Sequence, residues 1–283
     1  MAETKLWNME HRLRIARNKL RKFIKKHDGT TFNVCTVISP GLGVFRSLAD
    51  AGIGVFEVVH PASSIMIAIA YGETQMSSEA VPLFGTLPRD EYIRWIRVFR
   101  HIVPDDVYVM GLPEEGLVAL YQDPLPDDYL LAMSRAGLNQ LHLHRPTLED
   151  YEEAIKMCHR NGLLCDAYIS HPDDHVKMGV PARTVKDVVE VAKKLEKAGA
   201  DIVGLMTGMT HRGLEAKEIS PEVRERLKAL AGAVDVPTIT EGGINPSNYK
   251  AVKETGVNII TIYAALREIS ENAMFSAIRS LVE

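Results

Sequence analysis

The chain has 283 residues, of which 46% are hydrophobic and 25% are charged, and its formal net charge is −4. This composition is ordinary for a soluble globular protein. No apolar run reaches the ~20 residues that a membrane span requires, and the N-terminus lacks the apolar segment of a signal peptide. We therefore expect a cytoplasmic protein, with neither a membrane nor a nucleic acid among its partners.

The first predicted element is a basic amphipathic helix within residues 1–29. The stretch "RLRIARNKLRKFIKKH" places its apolar residues close to helical spacing. Such a helix can bind nucleic acid or a membrane surface, but one basic segment on an acidic chain is weak support for either. The pattern favours a covering helix or a contact with another subunit.

The organising feature of the chain is a repeated phrase in which an amphipathic helix ends in glycine and runs into an apolar strand. Five copies are "SLADAGIGVFEV", "MSRAGLNQLHLH", "CHRNGLLCDAYI", "LEKAGADIVGLM" and "VKETGVNIITIY". Glycine suits the left-handed position just after a helix, and short runs with β-branched residues are typical of buried parallel strands. The repeat predicts βα units.

Extending this pattern predicts eight strands, at residues 32–39, 55–60, 107–111, 138–144, 163–170, 202–207, 236–241 and 258–263. The helices that follow them are predicted to begin near Gly43, Arg89, Pro126, Thr147, Arg183, Pro221, Pro246 and Ile269. Eight such units after one helix predict an α/β fold, the (β/α)8 TIM barrel with an extra N-terminal helix. Neither a linker nor a change of composition interrupts residues 1–283, so we predict a single domain.

Residues 61–88, after the second predicted strand, are long for a connection inside a barrel. Loops of this length are typical of lids and binding sites, and they also serve as contacts between subunits. Together with the basic first helix, this loop favours a homo-oligomer.

Polar side chains alternate with apolar ones along several predicted strands. The outward face of a barrel strand packs on helices, so the polar residues are expected to point inward. Glu57, His142 and Asp166 lie at similar distances past the glycine that ends the preceding helix, which predicts one layer. A divalent metal, Mg²⁺ or Mn²⁺, could be held by these three residues, with His144 or a water completing its shell. General acid and base catalysis by the same residues, or a buried hydrogen-bonded network, are the alternatives, and no organic cofactor is indicated.

The loops after the fifth and sixth predicted strands are also polar. Such loops carry the chemistry of barrel enzymes. Within "TGMTHRG", Thr207 and Arg212 are suited to holding a carboxylate or phosphate, and His211 is the predicted proton donor. The other predicted substrate contacts are His144, Tyr168, His171 and Tyr263. A solvated polar loop is the alternative for "TGMTHRG".

The stretch "TITEGGINPS" places two adjacent glycines between a strand and a helix start. Glycine lets backbone amides approach a ligand, and the amides at a helix start favour an anion. Gly242 and Gly243 are therefore predicted to bind the far anion of the substrate, with Glu241 beside it. A tight turn is the alternative, and a Glu241 side chain facing the site would disfavour a highly charged ligand.

At this point the chain resembles known families. The segment "VPTITEGGINPSNYKAVKETGVNIITIYAAL" resembles the closing segment of phosphate-binding barrels such as ketodeoxyphosphogluconate aldolases, sugar-phosphate epimerases and thiamine phosphate synthases. Over a longer span, "GLNQLHLHRPT", "GLLCDAYIS" and "GADIVGLMTGMTHRG" resemble the phosphoenolpyruvate hydrolase-like barrels, which are related in fold to phosphoenolpyruvate mutase and isocitrate lyase. The resemblance implies a TIM-barrel fold, and a small anionic substrate is expected.

These observations lead to a functional hypothesis. None of the eight predicted strands contains the lysine that a Schiff-base aldolase needs. We therefore predict a lyase or aldolase-type enzyme that acts on a small oxo acid or sugar acid, phosphorylated or free, through an enolate stabilised by a metal or by acid and base groups. A sugar or sugar-phosphate isomerase or epimerase is the first alternative, and a non-catalytic metabolite-binding barrel is the second.

Overall fold

Parallel strands close into the predicted (β/α)8 barrel in the computed structural model, which describes residues 2–36, 43–59, 89–113, 125–174, 178–207, 219–262 and 264–282. The strands are β1 (Thr31–Cys35), β2 (Val55–Val59), β3 (Tyr108–Leu112), β4 (Gln140–Leu141), β5 (Leu164–Ser170), β6 (Val180–Pro181), β7 (Ile202–Met206), β8 (Thr238–Glu241) and β9 (Ile259–Ile262). The barrel runs β1–β2–β3–β4–β5–β7–β8–β9, and β9 pairs with β1 to close it. The short β6, which the sequence pattern did not predict, pairs with β5 outside this ring.

Helices follow the strands in the predicted alternation. The described helices are α1 (Ala2–Lys26), α2 (Gly43–Asp50), α3 (Arg89–Ile102), α4 (Asp127–Ala136), α5 (Leu148–Arg160), α6 (Val185–Lys197), α7 (Pro221–Ala231), α8 (Tyr249–Lys253) and α9 (Ala264–Val282). Polar caps mark several starts, as where Thr184 and Asp187 form a capping box before α6. The last helix starts at Ala264, before the predicted Ile269, because no Gly, Pro or capping residue separates it from β9. The predicted long loop, residues 61–88, lies outside the described residues.

The core consists of an outer and an inner layer. The outer layer contains apolar side chains of the strands and of the surrounding helices, among them Leu141, Leu143, Cys165, Ala167 and Ile169. The inner layer contains the barrel-facing side chains Val55, Tyr108, Met110, Leu164, Tyr168, Ile202, Met206, Ile239 and Ile259. This division confirms the outward orientation that strand alternation predicts for the apolar residues of the fourth and fifth predicted strands.

The basic helix α1 covers the end of the barrel at which the strands begin. Its Leu13, Ala16 and Leu20 belong to the inner core layer. Phe23 packs so closely on Gly54 that a Cβ there would lie 1.8 Å from a ring carbon. Its basic residues pair with the barrel, including Arg17 with Asp201 at 2.7 Å. The interpretation of this segment as a covering helix is confirmed. Because α1 covers the end at which the strands begin, a ligand would reach the interior from the carboxyl ends of the strands.

The C-terminal helix α9 exposes an apolar surface. Its large exposed hydrophobic side chains are Ile269, Met274, Phe275, Ile278 and Leu281. An apolar patch of this kind is typical of a contact surface. The homo-oligomer stays a prediction, and α9 is a described surface at which to test it. Among the described helices, none combines the length and apolar character needed to cross a bilayer.

Candidate functional site

The polar side chains of the barrel interior meet in a buried cluster around two histidines. His142 and His144 follow β4 directly, and their side chains are 1% and 2% exposed. The His142 amide donates to the Gly111 carbonyl at 2.8 Å, which keeps the chain beside β3 beyond the end of the short strand. Alternation along this extended segment turns both imidazoles into the barrel, as predicted.

Asp166, on β5, orients the first histidine. Its Oδ2 atom lies 2.7 Å from the Nδ1 atom of His142 and also accepts a hydrogen bond from the amide nitrogen of Gln140 at 2.7 Å. The Tyr108 hydroxyl donates in turn to the Gln140 side-chain oxygen at 2.6 Å. Because a carboxylate accepts hydrogen bonds, we assign the Nδ1 proton to His142, and its Nε2 atom faces the cluster.

The second histidine is oriented by a backbone carbonyl. The Nδ1 atom of His144 lies 2.9 Å from the Met178 carbonyl oxygen, which can only accept, so Nδ1 carries the proton. Its Nε2 atom lies 2.9 Å from the Nε2 atom of His142. An oxygen of Glu241, at the end of β8, lies 3.6 Å from the Nε2 atom of His142 and 3.9 Å from that of His144. Two imidazole nitrogens and one carboxylate oxygen therefore converge.

Tyr168 packs against both imidazoles. Its ring centroid lies 4.9 Å from that of His142 and 5.4 Å from that of His144. The hydroxyl is buried, and no described group forms a hydrogen bond with it. Burial opposes ionisation of Glu241, but the charge of His142 outweighs it and lowers the Glu241 pKa, with smaller effects of His144 and of the Tyr168 hydroxyl. Leaving a buried hydroxyl without a partner costs free energy, so this group is suited to contact a ligand.

Glu57 forms a second polar group on the neighbouring strands. Its Oε2 atom accepts hydrogen bonds from the amide of Asn33 and the thiol of Cys35, both at 3.1 Å. The same Asn33 amide donates to the Thr261 hydroxyl at 3.2 Å, whereas its side-chain oxygen has no described partner. In strand register, Glu57 lies beside Cys35 of β1 and Met110 of β3, and Met110 lies beside Gln140 of β4. Glu57 is therefore level with Gln140 and not with His142.

Burial and mutual charge shift the pKa values of the cluster. Burial, together with the Glu241 charge, raises the pKa of Glu57 despite the opposing effect of His142. Burial also raises the pKa of Asp166. For His142 burial favours the neutral ring, but the three surrounding carboxylates outweigh it and raise its pKa well above the ordinary value. Burial and the charge of His142 lower the pKa of His144 to about 3.

Gly242 and Gly243 form the turn that follows β8. Both have positive φ, at 102° and 66°, a conformation that favours glycine. Thr207 holds this turn, because its hydroxyl lies 2.7 Å from the Glu241 carbonyl and 2.6 Å from the Gly242 carbonyl. No hydrogen bond joins the amide of either glycine to a described residue. The following helix α8 has five residues, and the Asn245 side chain already accepts from the Ser247 and Asn248 amides. Compared with the Ser247 and Asn248 amides, the glycine amides are therefore the backbone donors available to an anion at this turn.

The remaining predicted site residues are distributed as follows. His171 follows β5, and its ring faces Asp173 at 3.6 Å and Glu222 at 3.8 Å, with no described ion pair to the histidine cluster. His211, Arg212 and Tyr263 lie outside the described residues. The structure thus brings together His142, His144, Asp166, Tyr168 and Glu241, with Glu57 close enough to affect their charges.

Sequence reasoning missed two supporting positions. Met178, whose carbonyl orients His144, lies in a connection without a recognisable pattern. Gly204, on β7, makes room for the Tyr168 ring, since a Cβ there would lie 2.5 Å from a ring carbon. A glycine inside a strand is a signal of such close approach.

Comparison with known proteins places the chain among barrel proteins. No protein-family model matches it. The thiamine-phosphate synthase of Clostridium novyi (strain NT) is 37% identical over 94 residues, which are 33% of this chain and 43% of that protein. The corresponding enzyme of Ruminiclostridium cellulolyticum is 31% identical over 107 residues, which are 38% of this chain and 47% of that protein. The chain therefore matches less than half the length of these curated relatives.

Solved structures agree with the barrel over nearly the whole chain. The tryptophan synthase alpha subunit of Legionella pneumophila str. Paris covers 93% of this chain and 91% of its own, with a TM-score of 0.63 and 15% identity. A mutant tryptophan synthase alpha-subunit of Pyrococcus furiosus covers 86% and 90%, with a TM-score of 0.60 and 14% identity. At this identity the likeness shows the fold alone. The chain is thus a TIM barrel with partial sequence likeness to an enzyme family, and its relation to the phosphoenolpyruvate hydrolase-like barrels stays a prediction.

Proposed function

We propose that this protein is an enzyme that forms an enolate from a small oxo acid or sugar acid, phosphorylated or free, and cleaves or makes a carbon–carbon bond next to the carbonyl. One observation carries the proposal: an imidazole oriented by a buried carboxylate faces a second carboxylate and a tyrosine hydroxyl that has no hydrogen-bond partner among the described residues. Acid and base groups held in this way are the components of proton transfer next to a carbonyl.

Each group has a role in the proposed reaction. In the cleavage direction a base, for which Glu57 is suited, takes the proton of a substrate hydroxyl. The carbon–carbon bond then breaks, and its electron pair moves onto the carbonyl oxygen as an enolate. The Tyr168 hydroxyl and the His142 imidazole in its protonated form, which the surrounding carboxylates favour, would donate hydrogen bonds to that oxygen. Reprotonation at carbon completes the turnover, with His211 as the expected proton donor.

Asp166 is a positioning residue in this scheme. It accepts a hydrogen bond from the Nδ1–H group of His142 and thereby keeps the Nε2 atom facing the ligand. The sequence predicts that Glu57, His142 and Asp166 would hold a divalent cation, and a cation bound in this cluster would supply Lewis-acid polarisation of the carbonyl.

The substrate anion is assigned to the rim of the barrel. The Gly242 and Gly243 amides have no described partner, so an anion would provide their acceptor. Arg212, Thr207, His171 and Tyr263 are the further expected contacts. The curated relatives are named for a phosphate ester, thiamine phosphate, and this supports a phosphorylated substrate. The described strands contain no lysine, which favours an enolate over a Schiff base.

Proton exchange in heavy water tests this proposal. Full-length protein is incubated in D₂O with a panel of 2-oxo acids and sugar-acid phosphates, and proton NMR follows deuterium incorporation and fragment formation. We expect both signals with the wild type, and a loss of 100-fold or more with Glu57→Gln, in the range typical of acid–base residues, about 10²–10⁴-fold. Glu152→Gln, at an exposed glutamate of α5, is the matched control and should leave the rate unchanged.

The outcomes separate the alternatives. Deuterium incorporation without fragments favours the isomerase or epimerase, in which the proton moves and no carbon–carbon bond breaks. Ligand binding without any exchange, in the wild type and in Glu57→Gln alike, would overturn the enzymatic proposal in favour of a metabolite-binding barrel.

A further inference from the structure

We infer that His142, His144 and Glu241 form a binding site for a divalent first-row transition-metal ion such as Zn²⁺. The donor atoms of these residues all lie within 4.8 Å of one another, and among the described residues they form a group suited to holding an ion. This set differs from the predicted Glu57, His142 and Asp166 both in its residues and in the class of metal that it favours. The inference does not depend on the proposed reaction.

The tautomers of the two histidines leave their Nε2 atoms facing each other, an arrangement that suits the binding of a cation. Each Nδ1 atom is occupied as a donor, to Asp166 in one ring and to the Met178 carbonyl in the other. When both rings are neutral, the two Nε2 atoms present lone pairs to each other across 2.9 Å. Two lone pairs at this separation repel each other unless a proton or a metal ion lies between them.

The spacing of the nitrogens suits one metal ion. Two imidazole nitrogens that each lie ~2.0–2.1 Å from a metal ion are about 2.9 Å apart when the nitrogen–metal–nitrogen angle is a right angle, and about 3.3 Å apart when that angle is tetrahedral. The observed 2.9 Å agrees with the first arrangement. The Glu241 oxygen lies 3.6 and 3.9 Å from the nitrogens, so it needs to approach by roughly 0.3–0.6 Å to reach the tetrahedral spacing and by roughly 0.7–1 Å to reach the right-angle spacing.

The charges of the interior also favour a cation. Three carboxylates, Glu57, Asp166 and Glu241, surround one imidazole pair, and no described lysine or arginine forms an ion pair with them. Burying several carboxylates without compensating positive charge is costly. A divalent cation supplies that charge, whereas one shared proton supplies half of it.

The residues behind the ligands match the second shell of a metal site. Metal-binding histidines usually donate their other ring proton to a carboxylate or a backbone carbonyl, which fixes the tautomer and the ring orientation. Both kinds of acceptor are present here, Asp166 behind His142 and the Met178 carbonyl behind His144. Asp166 is thereby assigned to orient a ligand rather than to bind the metal.

The ligand types select the metal class. Two imidazoles with one carboxylate suit zinc, iron and manganese, whereas magnesium prefers oxygen ligands and retains several waters. Three protein ligands leave coordination positions for water or a substrate oxygen. The Tyr168 hydroxyl has no hydrogen-bond partner in the described part of the chain and belongs to a ring that contacts both imidazoles, so it is placed to bond with such a group.

Metal titration tests the site directly. Full-length protein is freed of metal with a chelator and titrated with Zn²⁺ in competition with a chromophoric chelator, and Co²⁺ is used in parallel for its ligand-field absorption. We expect one tightly bound equivalent and a rise in thermal midpoint on Zn²⁺ addition. His144→Gln and Glu241→Gln should each weaken Zn²⁺ binding by more than 10-fold and alter the Co²⁺ spectrum. Asp166→Asn should weaken it by about 10–100-fold, as for outer-shell partners.

Controls keep the test decisive. His101→Gln replaces an exposed histidine of α3 and should bind Zn²⁺ like the wild type. Glu241 is 15% exposed, so its variant is the one expected to fold if a histidine variant does not, and circular dichroism checks this. Absence of a bound equivalent, or unchanged affinity in both His144→Gln and Glu241→Gln, would overturn the inference. Tight Mg²⁺ binding that is lost in Glu57→Gln but kept in His144→Gln would also overturn it, in favour of the predicted set. Neither result would bear on proton exchange in D₂O.

Discussion

Gly204, on β7, shows how the barrel interior limits what can be changed near the site. A Cβ at this position would lie 2.5, 2.6 and 2.8 Å from three ring carbons of Tyr168. Ordinary carbon contacts are about 3.5–4.0 Å long, so the ring would have to move by roughly 1 Å. The ring is fully buried and has His142 and His144 against it. Gly204→Ala therefore forces the tyrosine toward the imidazoles or distorts the strand.

The expected cost follows from overpacking. Inserting a methyl group into a packed core costs about 1–3 kcal/mol. With an unfolding entropy of about 2.1 cal/mol/K per residue, a chain of this length should lose roughly 2–5 °C in thermal midpoint. Differential scanning calorimetry measures this loss. Zn²⁺ affinity of the same variant should also fall, because the displaced ring presses on both proposed ligands.

A matched glycine provides the control. Gly232 follows α7 with φ of −91°, and a Cβ there would meet only a carbonyl oxygen at 3.5 Å. Gly232→Ala should be neutral or stabilising, by up to about 1 kcal/mol, since alanine restricts the unfolded chain. If the clash is the cause, Gly204→Ala should cost less in a Tyr168→Leu background. Equal midpoints for Gly204→Ala and Gly232→Ala, or an undiminished cost in that background, would refute the reasoning.

Two further predictions concern the covering helix α1. Asp201→Asn should lower the free energy of unfolding by about 2–3 kcal/mol in a urea titration. The carboxylate accepts hydrogen bonds from Arg17, from His159 at 2.7 Å and from the Cys165 amide at 3.1 Å, and an asparagine side chain leaves one of these donors unpaired. A change below about 0.5 kcal/mol would contradict the role of this network. Burial, with a smaller effect of Arg100, lowers the pKa of Lys19 to about 8 from 10.5. Between these values the native state has lost a proton that the unfolded state retains, so stability should rise with pH across this window, whereas below pH 8 both states bind the proton and this group should no longer affect stability. Lys19→Met should remove that part of the rise, whereas Lys25→Met, at an exposed lysine of the same helix, should keep it.

The sequence by itself determined the architecture. The helix–glycine–strand phrase recurs along the chain, and each copy encodes a βα unit through local rules: a left-handed glycine ends the helix, and a buried strand needs apolar residues. Alternation also determined which side chains enter the barrel, because successive residues of a strand point to opposite faces. His142, His144, Asp166 and Tyr168 were predicted to point inward on this basis, and each is buried there.

Only the tertiary structure decided which of these groups meet. Glu241 reaches the histidine pair from β8, whereas Asp166 lies behind His142 and Glu57 bonds to Asn33 and Cys35. Strand register and side-chain rotamers set these pairings, and both depend on packing across the whole barrel, such as the space that Gly204 leaves for Tyr168. The tautomer of His144 depends on the carbonyl of Met178, far along the chain. Local sequence patterns do not predict such contacts, because the contacts form only when distant segments are packed together.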